Sequence, residues 1–314
     1  MFNVDNEAAI VVGVGTDGHL SEGTVAFVAD TARRLDLGIE LVHVVPTLVG
    51  GPTGAWEAGI SFDQLVDQGR ALLEDATERV RSRVGGAVPV TSELVRGGVV
   101  SSLIALSRGA QLVVVQRRHL GPWRRFAEGS VTAGVAARSH APVVCVPEGW
   151  RPSATVRPIT VGVEDAIRAD AELWTALGLA AATDVPVQVV RVAYLPEAFQ
   201  EILRRETNED DFLRLARDQL VQDVRLPASV CERIPCTFVV RWGRPPEVLV
   251  DASAGSSLLV VGRRDPRLPF GSHLGPVVRQ VLREARCPVL VVEPRLATPV
   301  RVEGAEPVPA AAHH

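Results

Sequence analysis

Two stretches of this sequence place arginine, glycine and hydroxyl residues at a spacing suited to holding phosphate. In the first, Gln116-Arg117-Arg118-His119 follows the apolar run Leu112 to Val115, and a loop separates it from Gly129-Ser130-Val131. In the second, Gly262-Arg263-Arg264-Asp265 follows Ser257 to Val261, and Gly275-Pro276 opens an amphipathic segment that ends at Cys287-Pro288. A strand, a glycine-bearing loop and a helix start can grip an anion, because free backbone N–H groups and the helix dipole converge on the loop. Glycine matters there because it accepts left-handed backbone angles and lets a phosphate approach the main chain. A third group of residues follows the first apolar run of each half: Gly15 and Asp17 in one, Glu164 in the other.

These residues need strands to end at the same edge and helices to begin there. Ala8 to Val14, Ile39 to Val45, Val88 to Val95, Gln111 to Val115 and Val143 to Val146 read as buried strands, bounded by turn residues. Between them, apolar stripes at helical spacing run through Ser21 to Leu37, with Gly38 as the stop, and through Phe62 to Val84, Val99 to Ser107 and Val131 to Ser139. Strand-helix-strand order at this spacing calls for a parallel sheet.

The second half then repeats the first. Gly97 and Gly243, Gly129 and Gly275, and Pro142 and Pro288 are each 146 residues apart, and Val14 lies 149 residues before Val163. A constant offset through half a domain marks an internal duplication. The expected organisation is a domain over residues 8–148, a linker over 149–156, a second domain over 157–295 and a disordered tail over 296–314. Within the second domain, Phe199 to Leu226 reads as one long charged helix.

Composition narrows the classes of function. With 314 residues, 46% hydrophobic and 22% charged, the chain is globular and large enough for two cores. All 33 basic residues are arginine, as in a GC-rich bacterial genome, yet the formal charge is only −4. That balance argues against nucleic acid and anionic membrane as partners. Cys145, Cys231, Cys236 and Cys287 form no C-x2-C pair, so neither zinc nor any other metal is expected. The acidic amino terminus lacks a signal peptide's pattern and no run approaches a membrane span, so the expected location is the cytoplasm.

With these motifs in hand, residues 8 to 295 resemble a tandem universal stress protein: two flavodoxin-like, doubly wound α/β domains with five main strands each and helices on both faces. The most specific signatures are the Gly243-Arg244-Pro245 turn, the Gly-Ser or Gly-Pro that opens the last helix, and the terminal strand led by Ala141-Pro142 or Cys287-Pro288. The resemblance implies a stress-response or regulatory role, an adenine nucleotide as the ligand, and pairing of domains through the last strand. That pairing would set Val143 to Val146 against Val289 to Val292 in an intrachain pseudo-dimer, with a homodimer as a further option.

Nucleotide-binding members of the family carry an acidic residue after the first strand and a loop of the form G-x2-G-x9-G followed by Ser or Thr. Here Gln116 and His119 replace the first two glycines of one copy, leaving Gly129-Ser130. In the other, Asp265 replaces the second glycine and Pro276 the hydroxyl, leaving Gly262 and Gly275. Both loops are degenerate, so ATP binding is expected to be weak or lost. Two alternatives stay open. One is an ATP-binding switch or slow ATPase in which Arg117, Arg118, Ser130 and the backbone at Gly129 to Val131 hold the phosphates, with His119 beside them. The other is a scaffold that binds an unknown protein through the Trp56 loop or the long charged helix. No nucleophile elbow or G-x4-G-K-[ST] loop is present, and no catalytic residue is nominated.

Overall fold

Runs of Val, Ile and Leu bounded by glycine and proline form the strands, since branched side chains pack well on a pleated surface buried on both faces. The computed structural model describes residues 9–46, 61–118, 131–166, 169–194, 208–224, 226–264 and 274–293. In the first half, strands β1 (Ala9–Val14), β2 (Gly38–Val45), β3 (Val90–Arg96), β4 (Ala110–Arg117) and β5 (Val143–Pro147) alternate with helices. Those helices are α1 (Glu22–Leu35), α2 (Phe62–Val84), α3 (Val99–Leu106) and α4, residues 131–138. The second half contributes β6 (Ile159–Val163), α5 (Asp170–Thr183), β7 (Val187–Ala193), α6 (Glu209–Val224) and α7 (Ala228–Arg233). It ends with β8 (Cys236–Trp242), α8 (Pro245–Ser253), β9 (Leu258–Gly262), α9 (Pro276–Glu284) and β10 (Val289–Val292).

The ten strands make one sheet in the order β3-β2-β1-β4-β5-β10-β9-β6-β7-β8. Each half is parallel within itself and reverses direction of growth once, between β1 and β4 in the first half and between β6 and β9 in the second. Such switch points open a crevice at the carboxyl ends of the strands. The halves meet antiparallel through β5 and β10, with Val289 opposite Cys145, Leu290 opposite Val144 and Val291 opposite Val143. This register is self-complementary under the 146-residue offset, as at a two-fold interface. It also pairs two apolar edges that would otherwise invite association with other chains.

Alternation along the strands sends side chains into two cores. Ile10, Val12, Leu112, Val114, Val260 and Leu290 join the layer of α1, α2, α5 and α6. Val11, Val113, Val115, Leu259 and Val289 join the opposite layer with α3, α4, α8 and α9.

Two expectations need correction. Gly38 does not stop α1: the helix ends at Leu35, Asp36 takes the left-handed C-cap at φ 52°, and Gly38 already belongs to β2. Aspartate tolerates that conformation better than most side chains. The charged helix ends at Val224, and a separate α7 begins after Pro227, whose ring disfavours helix in the residue before it. Its expected beginning over 199–207 lies outside the described residues, as do the Trp56 loop over 47–60 and the tail. The linker is packed at its start. Trp150 packs edge-on against Phe27 of α1 at 6.1 Å, and its carbonyl oxygen sits where a β-carbon on Gly23 would be.

Cys145 and Cys287 are buried, and burial pushes their thiols up to about 11 and about 12. No helix among the described residues is long and apolar enough to cross a membrane.

Candidate functional site

The period-two alternation of β4 decides where the first motif points. Leu112 and Val114 face α1, and Gln116, the next residue of that parity, faces it too. The Gln116 side chain spans the gap between the end of β4 and the start of α1. Its Oε1 accepts from the Ser21 backbone N–H at 2.6 Å and from Thr24 Oγ1 at 2.9 Å, and its Nε2 donates to the His19 carbonyl at 3.3 Å. Ser21 caps α1, its hydroxyl accepting from the Thr24 N–H. An amide oxygen therefore stands at a helix N-terminus in the switch-point crevice, where the dipole and open N–H groups favour an anion.

Arg118 closes the same crevice from the side. Its guanidinium pairs with the Asp17 carboxylate and lies where a β-carbon on Gly15 would be. The Arg118 side chain is only 9% exposed. Asp17 also accepts from the His19 N–H at 2.8 Å, which holds the turn after β1. Gly15, Asp17, Gln116 and Arg118 are thus brought together, and three of them are bonded to the chain's own groups.

Arg117 is set apart from them by strand parity. With Val113 and Val115 it faces the other layer, crosses to the second half and donates to the carbonyls of Leu282 at 3.0 Å and Ala285 at 2.6 Å. Those oxygens close the last turn of α9, where a cation complements the helix dipole. Arg263, its mate in the repeat, does the converse. It donates to the Ser139 carbonyl just beyond α4 at 2.9 Å and pairs with Glu293 at 2.7 Å. Two arginines offered by the sequence as phosphate ligands instead tie the halves together. Burial lowers the pKa of Arg117, opposed by the nearby Cys145, Cys287 and Glu284.

The second crevice is filled from the opposite wall. Gly262 replaces Gln116 at the strand end, and Glu172 replaces Thr24 in the first turn of the helix. The Glu172 Oε1 occupies the position of a β-carbon on Gly262. Glu172 is 9% exposed and its Oε2 has no hydrogen-bond partner. Burial pushes its carboxyl up to about 6; its own backbone N–H works against the rise and Asp170 adds to it. Glu164, after β6, is exposed. Pro276 takes the first position of α9 and so withdraws one N–H from the anion-facing end. Arg264 lies across Gly275, its Nε 3.1 Å from where a β-carbon would stand.

Val131 opens the described part of α4 and packs into the second core layer. His119, Gly129, Ser130 and Asp265 lie outside the described residues. The sequence motifs passed over Thr24 and Glu172. The duplication itself could have found them, because α1 and α5 align at an offset of 148 and carry Thr and Glu at the same place.

A family model described as "Universal stress protein family" matches residues 9–147 and again 155–293. Among curated proteins, Universal stress protein Rv2623 of Mycobacterium tuberculosis is 29% identical over 311 residues, covering 94% of this chain and all of its own length. Universal stress protein Rv1996 of the same organism is 27% identical over 312 residues, covering 88% of this chain and 93% of its own. Among solved structures, a universal stress protein from Archaeoglobus fulgidus aligns with a TM-score of 0.61 at 17% identity, covering 91% of this chain and 97% of that one.

Proposed function

We propose, since the chain belongs to the universal stress protein family, that it is a non-catalytic regulatory protein of the stress-response type whose two nucleotide crevices bind adenine nucleotide weakly or not at all. One observation carries this reading: each crevice holds a side chain of the protein itself, Gln116 in the first and Glu172 in the second. A phosphate entering the first must displace three hydrogen bonds and the Arg118 to Asp17 pair. In the second it meets a carboxylate. At ~5 Å and an effective dielectric of about 20, repulsion between two unit charges is ~3 kcal/mol, roughly a hundredfold in affinity.

Calorimetric titration with magnesium ATP tests the reading. The wild-type chain is expected to give no saturable heat at micromolar nucleotide. The double variant Gln116→Gly, Glu172→Thr gives each crevice the smaller residue that the other already carries, and is expected to bind at least about tenfold more tightly. Tight, stoichiometric binding by the wild type would contradict the proposal.

A further inference from the structure

A half-open pocket lies at the other end of the strands from the crevices, where β4, β6 and β9 begin. It has a volume of about 700 Å3 and is lined from both halves of the molecule. Val144 and Leu290, the central pair of the β5 to β10 ladder, line it from the sheet, and residues of α1 and α5 line it from the helices. The linker forms part of its wall: Trp150 and Pro152 through Arg157 line it as the chain passes from one domain to the other.

The duplication explains why the space exists. Helices α1 and α5 align residue for residue, from caps Ser21 and Ala169 to the left-handed Asp36 and Asp184. The cavity-facing residues Phe27, Thr31 and Leu35 of α1 have Thr175, Leu179 and Thr183 as their counterparts in α5. The ring of Phe27 is braced by Trp150, whereas its counterpart carries only a hydroxyl and a methyl group. Two large apolar side chains on one wall are thus answered by two threonines on the other. The single exchange in the opposite sense, Thr31 against Leu179, does not refill the volume.

The charges on the lining balance. Arg34 and Arg157 are offset by Asp30 and Asp184. Each arginine also donates to a backbone carbonyl, Arg34 to Ala182 at 3.5 Å and Arg157 to Ala254 at 3.0 Å, while Asp30 is paired with Arg33. The remaining surface is mostly aliphatic and aromatic, with threonine and serine hydroxyls spread through it. A mainly apolar cleft of this size, flanked by a strap and carrying few polar groups, is the usual form of a small-molecule site, for which volumes run roughly from 300 to 1,000 Å3.

We infer that the interdomain cavity is a binding site for an uncharged, mainly apolar small molecule, held between α1 and α5 beneath the linker and separate from the nucleotide crevices. Binding there would couple the two domains, since both helices and the linker touch the ligand.

Nile red, an uncharged apolar dye, is the probe. The full-length chain is expected to bind one dye per molecule with saturable fluorescence. The variant Thr175→Phe, Thr183→Leu copies the α1 residues into α5 and is expected to weaken that binding at least about tenfold, with an unchanged or raised melting temperature. In case the variant misfolds, wild-type crystals grown with 1-bromonaphthalene give a second measurement, with bromine anomalous density expected between Phe27 and Leu179. Absence of saturable dye binding by the wild type, undiminished binding by a folded variant, or bromine density only elsewhere would overturn the inference.

Discussion

At the scale of single residues, the two crevices show how one volume can be filled from either wall. Where the strand end carries Gln116 the helix carries Thr24, and where the strand end is Gly262 the helix carries Glu172. The two solutions differ in cost. Gln116 is neutral and its oxygen has two donors, whereas Glu172 buries an acid with one oxygen unpartnered. Its carboxyl titrates at about 6, above the ordinary 4.5. The folded protein therefore holds this proton more tightly than the unfolded chain does. The resulting stability is fully present below pH 4.5 and is lost as pH rises through 6, leaving a penalty of about 2 kcal/mol at neutral pH. Glu172→Gln is expected to raise stability by roughly that amount at pH 7 and by little below pH 4.5, measured by urea unfolding across the range. A stability difference independent of pH would show that Glu172 is not the titrating group.

At the scale of elements, the linker and α1 form one packed unit. Gly23 lies in the first turn of α1, where alanine would ordinarily gain a fraction of the ~1 kcal/mol it gains in a helix interior. The carbonyl of Trp150 rests against its α-carbon, so an added methyl group must push the linker away. Gly23→Ala is therefore expected to destabilise the protein by about 1–3 kcal/mol, in the sense opposite to helix propensity. A raised melting temperature would refute that packing. The same elements mark what could be read in advance. The 146-residue offset revealed the duplication, and the apolar runs located all ten strands. Strand parity could also have separated Gln116 from Arg117, since alternate residues of β4 face opposite layers. Glu172 was harder to find, because α5 is buried over much of its surface and its spacing does not set one polar position apart. The linker's packing was not legible either, since Pro, Gly and Ser signal a turn without saying what the adjoining tryptophan touches.

At the scale of the whole molecule, duplication has produced one continuous sheet with pseudo-two-fold symmetry at its centre. Arg117 and Arg263 strengthen that centre by reciprocal contacts, each reaching the carbonyls that end the other half's last helix. The strand pair, the arginines and the linker make the halves structurally interdependent. The crevices, at the far ends of the strands, are free to diverge without disturbing this frame. In the first crevice the strand-end Gln116 reaches the helix, and in the second the helix residue Glu172 lies over the strand-end Gly262. The most direct measurement is a crystal structure after soaking in magnesium ATP. The account predicts Gln116 bonded to Ser21 and Thr24, Glu172 lying over Gly262, and no nucleotide density in either crevice. A fully occupied nucleotide, with either side chain displaced from its place, would contradict it.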